Sequence, residues 1–120
     1  MASIKFSFKL SIGCPKNYEP KKFILDWVKK NKGKIDIYND TKKAVKNADV
    51  IFSDKVISLN DKVNQIKKIK DFKNFRINSK IMSFAKKDTT FLHCLPRGNE
   101  VSSEVFLGKK SIFLMMLKKQ

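Results

Sequence analysis

The chain has 120 residues, 42% of them hydrophobic, and a formal net charge of +16 from 27 lysines and arginines against 11 aspartates and glutamates. That length suits one domain with a single core, and the apolar content excludes a chain that stays disordered. The start Met1-Ala2-Ser3-Ile4-Lys5 has no long apolar core, and the run from Ser111 to Leu117 is too short to span a bilayer, so a soluble cytoplasmic protein with no membrane partner is expected.

Phe6 to Gly13 runs apolar or alternates and ends in Gly-Cys-Pro, which predicts a first strand leading into a loop. Glu19-Pro20 then opens a helix in which Phe23, Ile24, Trp27 and Val28 share a face, with Gly33 placed as its C-terminal cap. Lys34 to Tyr38 alternates like a short strand. Asn39-Asp40-Thr41 offers an N-cap for a helix through about Asn47.

Asp49 to Ser53 is a β-rich run ending at Asp54, and Val63, Ile66, Ile69 and Phe72 mark a helical stripe. Phe75 to Ile77, a helix capped near Asn78 and a strand from Thr89 to His93 complete the pattern. Strands alternating with helices predict an α/β fold: a three-layer, Rossmann-like domain with a mostly parallel sheet and helices on both faces.

Lysine supplies nearly all the charge, since arginine occurs only at Arg76 and Arg97. The lysines are dispersed and often lie opposite apolar positions at helical spacing, the ordinary solvated face of an amphipathic helix. A nucleic-acid groove would instead concentrate charge on one face and interleave it with arginine and aromatics. Cys14 and Cys94 stand far apart with no secretory signal, which argues against a disulfide framework. Four glycines, none in a phosphate-binding pattern, argue against a nucleotide cofactor held by a glycine-rich loop.

In a parallel α/β sheet, ligands bind where the strands' carboxyl ends meet the connecting loops. Three strand ends carry distinctive loops here: Gly13-Cys14-Pro15, Asp54 through Asn60, and His93-Cys94-Leu95-Pro96. Topology alone brings Asp54 and Cys94 to one edge. Each residue also has a plainer use: Asp54 as a turn cap, Ser58 or Asn60 as a helix cap, His93 as a structural imidazole, Cys94 as a small buried apolar group. Spacing does not explain why they occur together.

The run His93-Cys94-Leu95-Pro96, with Arg97-Gly98-Asn99-Glu100-Val101 and Glu104-Val105-Phe106 after it, resembles the C-terminal signature of ornithine carbamoyltransferases. Leu10-Ser11-Ile12 through Tyr18-Glu19-Pro20 is similar to the segment that opens their ornithine-binding domain. Ala48-Asp49-Val50-Ile51 through Ser58 is similar to the segment with their substrate aspartate and serine. The resemblance implies carbamoyl transfer from carbamoyl phosphate to the δ-amine of ornithine, giving citrulline and phosphate, with no cofactor and no metal.

By that resemblance Asp54 and Ser58, with backbone groups at Leu59, hold the amino end of ornithine. Cys94 sits beside the reacting amine and accepts or relays its proton, and main-chain groups at Cys94 and Leu95 touch the carbamoyl group. The resemblance also implies a homotrimer and an N-terminal domain that grips carbamoyl phosphate. Nothing in these 120 residues corresponds to that domain, so the chain alone is expected to be inactive. A putrescine or other amine carbamoyltransferase, and a small basic nucleic-acid-binding α/β module, are the alternatives.

The family's Asp-x-Trp-x-Ser-Met-Gly becomes Asp54-Lys55-Val56-Ile57-Ser58-Leu59-Asn60 here, keeping the aspartate and serine. After Phe113, where the family continues Phe-Asp-x-Ala-Glu-Asn-Arg, this chain reads Leu114-Met115-Met116-Leu117-Lys118-Lys119-Gln120. A coding string TTT TTG ATG ATG CTG AAA AAA with one T restored reads TTT TTT GAT GAT GCT GAA AAA. Its translation, Phe-Phe-Asp-Asp-Ala-Glu-Lys, returns to the family pattern, so a single-base frameshift is expected in residues 114–120.

Overall fold

A computed structural model describes residues 1–58 and 64–112 of the chain. The expectations placed on Leu59, on Val63 and on the tail 114–120 lie outside the described residues.

The first strand, β1 (Leu10–Gly13), is shorter than its apolar run suggests, because Ala2–Lys5 forms a helical turn, α1, that ends at Phe6. It pairs in parallel with β2 (Ile35–Tyr38), Leu10 opposite Ile35 and Gly13 opposite Tyr38. Between them runs α2 (Lys22–Lys30). The predicted face of α2 is only partly covered: Val28 is buried, while Phe23, Ile24 and Trp27 are exposed.

The end of α2 corrects the reading of Gly33. Lys32 is the left-handed residue, at φ 57°. Its N–H donates to Lys29 O at 3.0 Å, and the Gly33 N–H donates to Val28 O at 2.9 Å. That is a Schellman closure with lysine where glycine is usual. Gly33 is required one residue later for space, since a Cβ there would lie 2.6 Å from Val28 Cγ1 and 2.9 Å from Ile4 Cγ1. Lys32→Gly should therefore raise stability by about 0.5–1 kcal/mol, the left-handed cost of lysine less the added chain entropy of glycine. A urea midpoint that fell or stayed level would contradict it.

Asp40 caps α3 (Thr41–Val45), its Oδ1 accepting from the Lys42 N–H at 2.8 Å and the Lys43 N–H at 3.4 Å. This helix packs on β1, β2 and α5 (Ser79–Met82). Asn78 caps α5 by accepting from the Ile81 N–H at 2.9 Å. Between α3 and α5 lie β3 (Val50–Ser53) and α4 (Gln65–Asp71). On α4 the apolar stripe is largely open, with Ile66 and Ile69 exposed. Its last member, Phe72, meets the Tyr18 and Phe75 rings edge to face.

β3 pairs in parallel with β4 (Thr90–His93), Val50 opposite Thr90 and Ser53 opposite His93. Single parallel bridges, Ile77 to Val101 and Phe91 to Ser111, extend this half. The expected single sheet is thus present as two parallel pairs, with no ladder between β1 and β3 among the described residues. Strands of four residues offer only a couple of ladder bonds per edge, so a small splay removes a whole ladder.

The core forms where α3, α5 and α6 (Ser103–Phe106) close over β3 and β4. Its residues are Val45, Ile51, Ile77, Met82, Phe91, Val101, Val105 and Phe106. β3 alternates as a half-covered strand should: Ile51 is buried while Val50 and Phe52 are exposed. Among the described residues no helix is long and apolar enough to cross a membrane.

Candidate functional site

The β3–β4 register decides what meets at the carboxyl edge. Ser53 and His93 are paired at the last ladder position, so the chain leaves both strands at one level with Asp54 and Cys94 as the next residues. The Cys94 Sγ donates to Asp54 Oδ1 at 3.2 Å, and the Lys55 N–H donates to the same oxygen at 2.7 Å.

These contacts set opposite shifts. The thiol hydrogen bond and then the Lys55 amide hold the Asp54 carboxyl below the usual carboxylate range. The hydrogen bond to Asp54, followed by burial, pushes the Cys94 thiol up. At neutral pH the pair is therefore a carboxylate and a thiol, a fixed anion with a polarised S–H beside it. Ser58 is exposed on the loop that follows Asp54, and Leu95 is exposed beyond Cys94 and joined to Pro96 by a cis peptide. The carbonyl of Cys94, one of the main-chain groups at Cys94 and Leu95 expected to touch a carbamoyl group, is engaged by His93 Nδ1.

Behind the edge lies a cluster that strand-end reasoning did not reach. The His93 side chain is 1% exposed and its Nε2 lies 2.8 Å from Glu100 Oε1, a contact at ion-pair distance but outside hydrogen-bond alignment. Glu100, 6% exposed at its side chain, also accepts from the Gly98 N–H at 2.6 Å. Arg97 donates to Ser103 Oγ at 2.9 Å and lies 5.2 Å above the Phe106 ring, which meets His93 edge to face. The available signal was the period of two along β4, which puts His93 on the same side as the fully buried Phe91.

Cys14, at the end of β1, is buried, and burial pushes its thiol up. Neither Cys14 nor Cys94 is in a disulfide. No group of three or more potential metal ligands occurs among the described residues. An open depression of about 760 Å³ along α4 is lined by Asn64, Gln65, Ile66, Lys67 and Lys70 and by none of the strand-end residues.

The chain matches a known family over almost its whole length: the aspartate/ornithine carbamoyltransferase Asp/Orn binding domain, at residues 1–118. The chain belongs to that family. Ornithine carbamoyltransferase of a Nitratiruptor species is 45% identical over 112 residues, covering 88% of this chain and 36% of that protein. The enzyme of that name from Methanosarcina acetivorans is 37% identical, covering 93% of this chain and 38% of its own length.

Among solved structures, the anabolic ornithine carbamoyltransferase of Campylobacter jejuni superposes with a TM-score of 0.80 at 38% identity, covering 87% of this chain and 36% of that one. The Pyrococcus furiosus carbamoyltransferase gives 0.79 at 32% identity, covering 92% and 37%. The α/β, Rossmann-like class is therefore that of the carbamoyltransferases, and the chain spans well under half the length of the relatives it matches.

Proposed function

We propose that this chain is the ornithine-binding part of an ornithine carbamoyltransferase, which moves a carbamoyl group from carbamoyl phosphate to the δ-amine of ornithine and releases citrulline and phosphate. The observation that carries the reading is the Cys94–Asp54 contact of 3.2 Å at the edge where the paired strands end. It is an anion and a thiol side by side, in a chain whose relatives bear that enzyme's name.

An amine attacks only as the free base, yet a δ-amine reaches the site as an ammonium ion. The Asp54 carboxylate, kept ionised, attracts that cation. Once the ammonium takes the thiol's place on Asp54, the chief cause of the raised thiol is gone, and a neighbouring cation favours the thiolate. Cys94 loses its proton to water and, as thiolate, takes one from the ammonium. The free amine then attacks the carbamoyl carbon, the carbon–oxygen bond to phosphate breaks, and the proton still in excess on the attacking nitrogen leaves with the phosphate. By the family resemblance, Ser58, backbone groups at Leu59 and the main chain at Leu95 hold the substrate beside this pair.

The grip on carbamoyl phosphate, and assembly into a cytoplasmic trimer, would come from a domain outside these residues. Val50 and Phe52, exposed on β3, give such a domain apolar surface to cover. The test joins this chain, carrying Cys14→Ala, to the part of the Nitratiruptor enzyme outside the match. With carbamoyl phosphate present, ornithine should yield citrulline and slow iodoacetamide alkylation of Cys94 about tenfold. Putrescine protecting where ornithine does not would move the substrate to a diamine. A folded protein showing neither effect would overturn the reading.

A further inference from the structure

We propose that the seam between β1 and β3 is a slot for one further parallel strand, filled by a strand–helix segment that lies outside these 120 residues. The hydrogen bonds define its walls. In the first pair the Leu10 N–H donates to Lys34 O at 3.0 Å and the Cys14 N–H to Tyr38 O at 3.1 Å; in the second the Thr90 N–H donates to Asp49 O at 3.0 Å. Backbone groups along a parallel strand alternate between its two edges. Ser11 and Gly13 on β1, and Val50 and Phe52 on β3, therefore turn theirs away from the existing ladders. Among the described residues these groups have no backbone partner. A splay of the two pairs accounts for the missing ladder but leaves both edges open, whereas one inserted strand satisfies both.

Side chains locate the uncovered face. A Cβ on Gly13 would meet the Ala44 Cβ of α3 at 2.9 Å, and Ile51 shares the core with Val45 of α3. By alternation Leu10, Ile12, Val50 and Phe52 point to the opposite face, where Val50 and Phe52 are exposed and Leu10 and Ile12 half-buried. Chain direction says what covers them. The step from β1 to β2 leads away from the seam, and α3, which packs on both strands, carries the chain back across β1 to β3. Right-handed crossovers then set α3 on one face and α2 on the other. A seam strand leading into β1 steps the same way as β1 to β2, so its helix falls on the α2 face, where the apolar side chains lie open. At the end of that path stands α1, which runs into β1 while its Ile4 approaches Gly33 just past α2.

The slot states the chemistry of its occupant. The strand is about four residues long to match Leu10–Gly13 and Val50–Ser53, and apolar without a break because both its faces are covered. A second copy of this chain offers only strands already backed by a partner, which can pair with one wall but not fill the gap. The relatives have the length to supply the segment, since the match covers only 36% of the Nitratiruptor enzyme.

The carbamoyltransferase reading enters only as the source of the probe, a synthetic peptide of the roughly thirty residues preceding the match in the Nitratiruptor enzyme. Amide hydrogen exchange is followed by NMR on the 120-residue chain without ornithine. With saturating peptide, the Ser11, Gly13, Val50 and Phe52 amides should each slow about tenfold or more. A general gain in stability does not produce this, because these N–H groups are unpaired in the free chain. Phe52→Pro deletes a slot-facing donor and no ladder donor, and should weaken the peptide about tenfold beyond Phe52→Ala, which loses the ring alone. Absence of binding, or protection of one wall only, would overturn the slot. So would protection that rises with chain concentration in the absence of peptide, which would put a second copy at the edges. Failure of the joined two-domain protein to form citrulline, with all these amides protected, would instead count against the substrate reading alone.

Discussion

Phe91→Ala should remove most of the chain's folding stability at 25 °C. Phe91 is 0% exposed, lies at the second position of β4 and packs within the cluster formed by Ile51, Val101, Val105 and Phe106. Its backbone is also committed, since the Phe91 N–H donates to Lys110 O at 2.8 Å and the residue bridges to Ser111. Truncating a buried phenylalanine costs about 3–5 kcal/mol, through lost transfer energy and the cavity left behind. Domains of this size have roughly 5–15 kcal/mol in total.

A stability near the lower end of that range is expected here, because Phe23, Trp27, Val50, Phe52, Ile66 and Ile69 are left exposed. Far-ultraviolet circular dichroism against urea would show the effect as a midpoint lowered by more than half. A midpoint lowered by less than a quarter would mean that the core is not centred on this ring. Val50→Ala on the exposed face of β3 should move the same midpoint very little, which separates burial from strand membership as the cause.

The elements legible in the sequence are those fixed by neighbours in the chain. Asp40 and Asn78 both cap the helices expected of them, because a side-chain acceptor two or three residues before free amides works wherever the chain turns. Parallel pairing followed from strand–helix alternation. The meeting of Asp54 with Cys94 followed from the rule that parallel strands end together, once Ser53 and His93 are in register.

Burial was less legible, since it depends on what lies opposite. The α2 and α4 stripes have the right periodicity and still leave Phe23, Trp27, Ile66 and Ile69 exposed, because nothing among the described residues covers them. Gly33 looked like a left-handed cap, but the cap is one residue earlier and Gly33 answers a close approach by Ile4 from α1, a contact no local pattern encodes. Glu100 belongs to the C-terminal signature, but its burial was hidden for a similar reason. His93 and Gly98, which lie against it, are gathered by a loop folding back on itself, and no local periodicity encodes that approach.

Asp54→Asn should act in opposite directions on the thiol and on catalysis. In the free chain with Cys14→Ala, Asp54 is the largest cause of the raised Cys94 thiol. Removing its charge lowers the pH at which thiolate forms, and alkylation at pH 8 should accelerate several-fold, with the rate-against-pH curve displaced towards lower pH. If a reactive thiol were all that the transfer needed, the variant would be the better enzyme. The carboxylate, however, is also the anion that receives the ammonium group, and its low pKa keeps it charged well into the acid range. Losing a charged partner of a cation costs about 1.5–3 kcal/mol, and the displaced proton transfer adds to it. The joined two-domain protein should therefore lose about a hundredfold or more in kcat/KM for ornithine, while its Cys94 becomes easier to alkylate. Citrulline formation and thiol alkylation measured on one preparation decide the matter. A fall in both would indicate local unfolding of the edge, and a rise in both would make Asp54 a brake on Cys94 rather than the anchor of the amine.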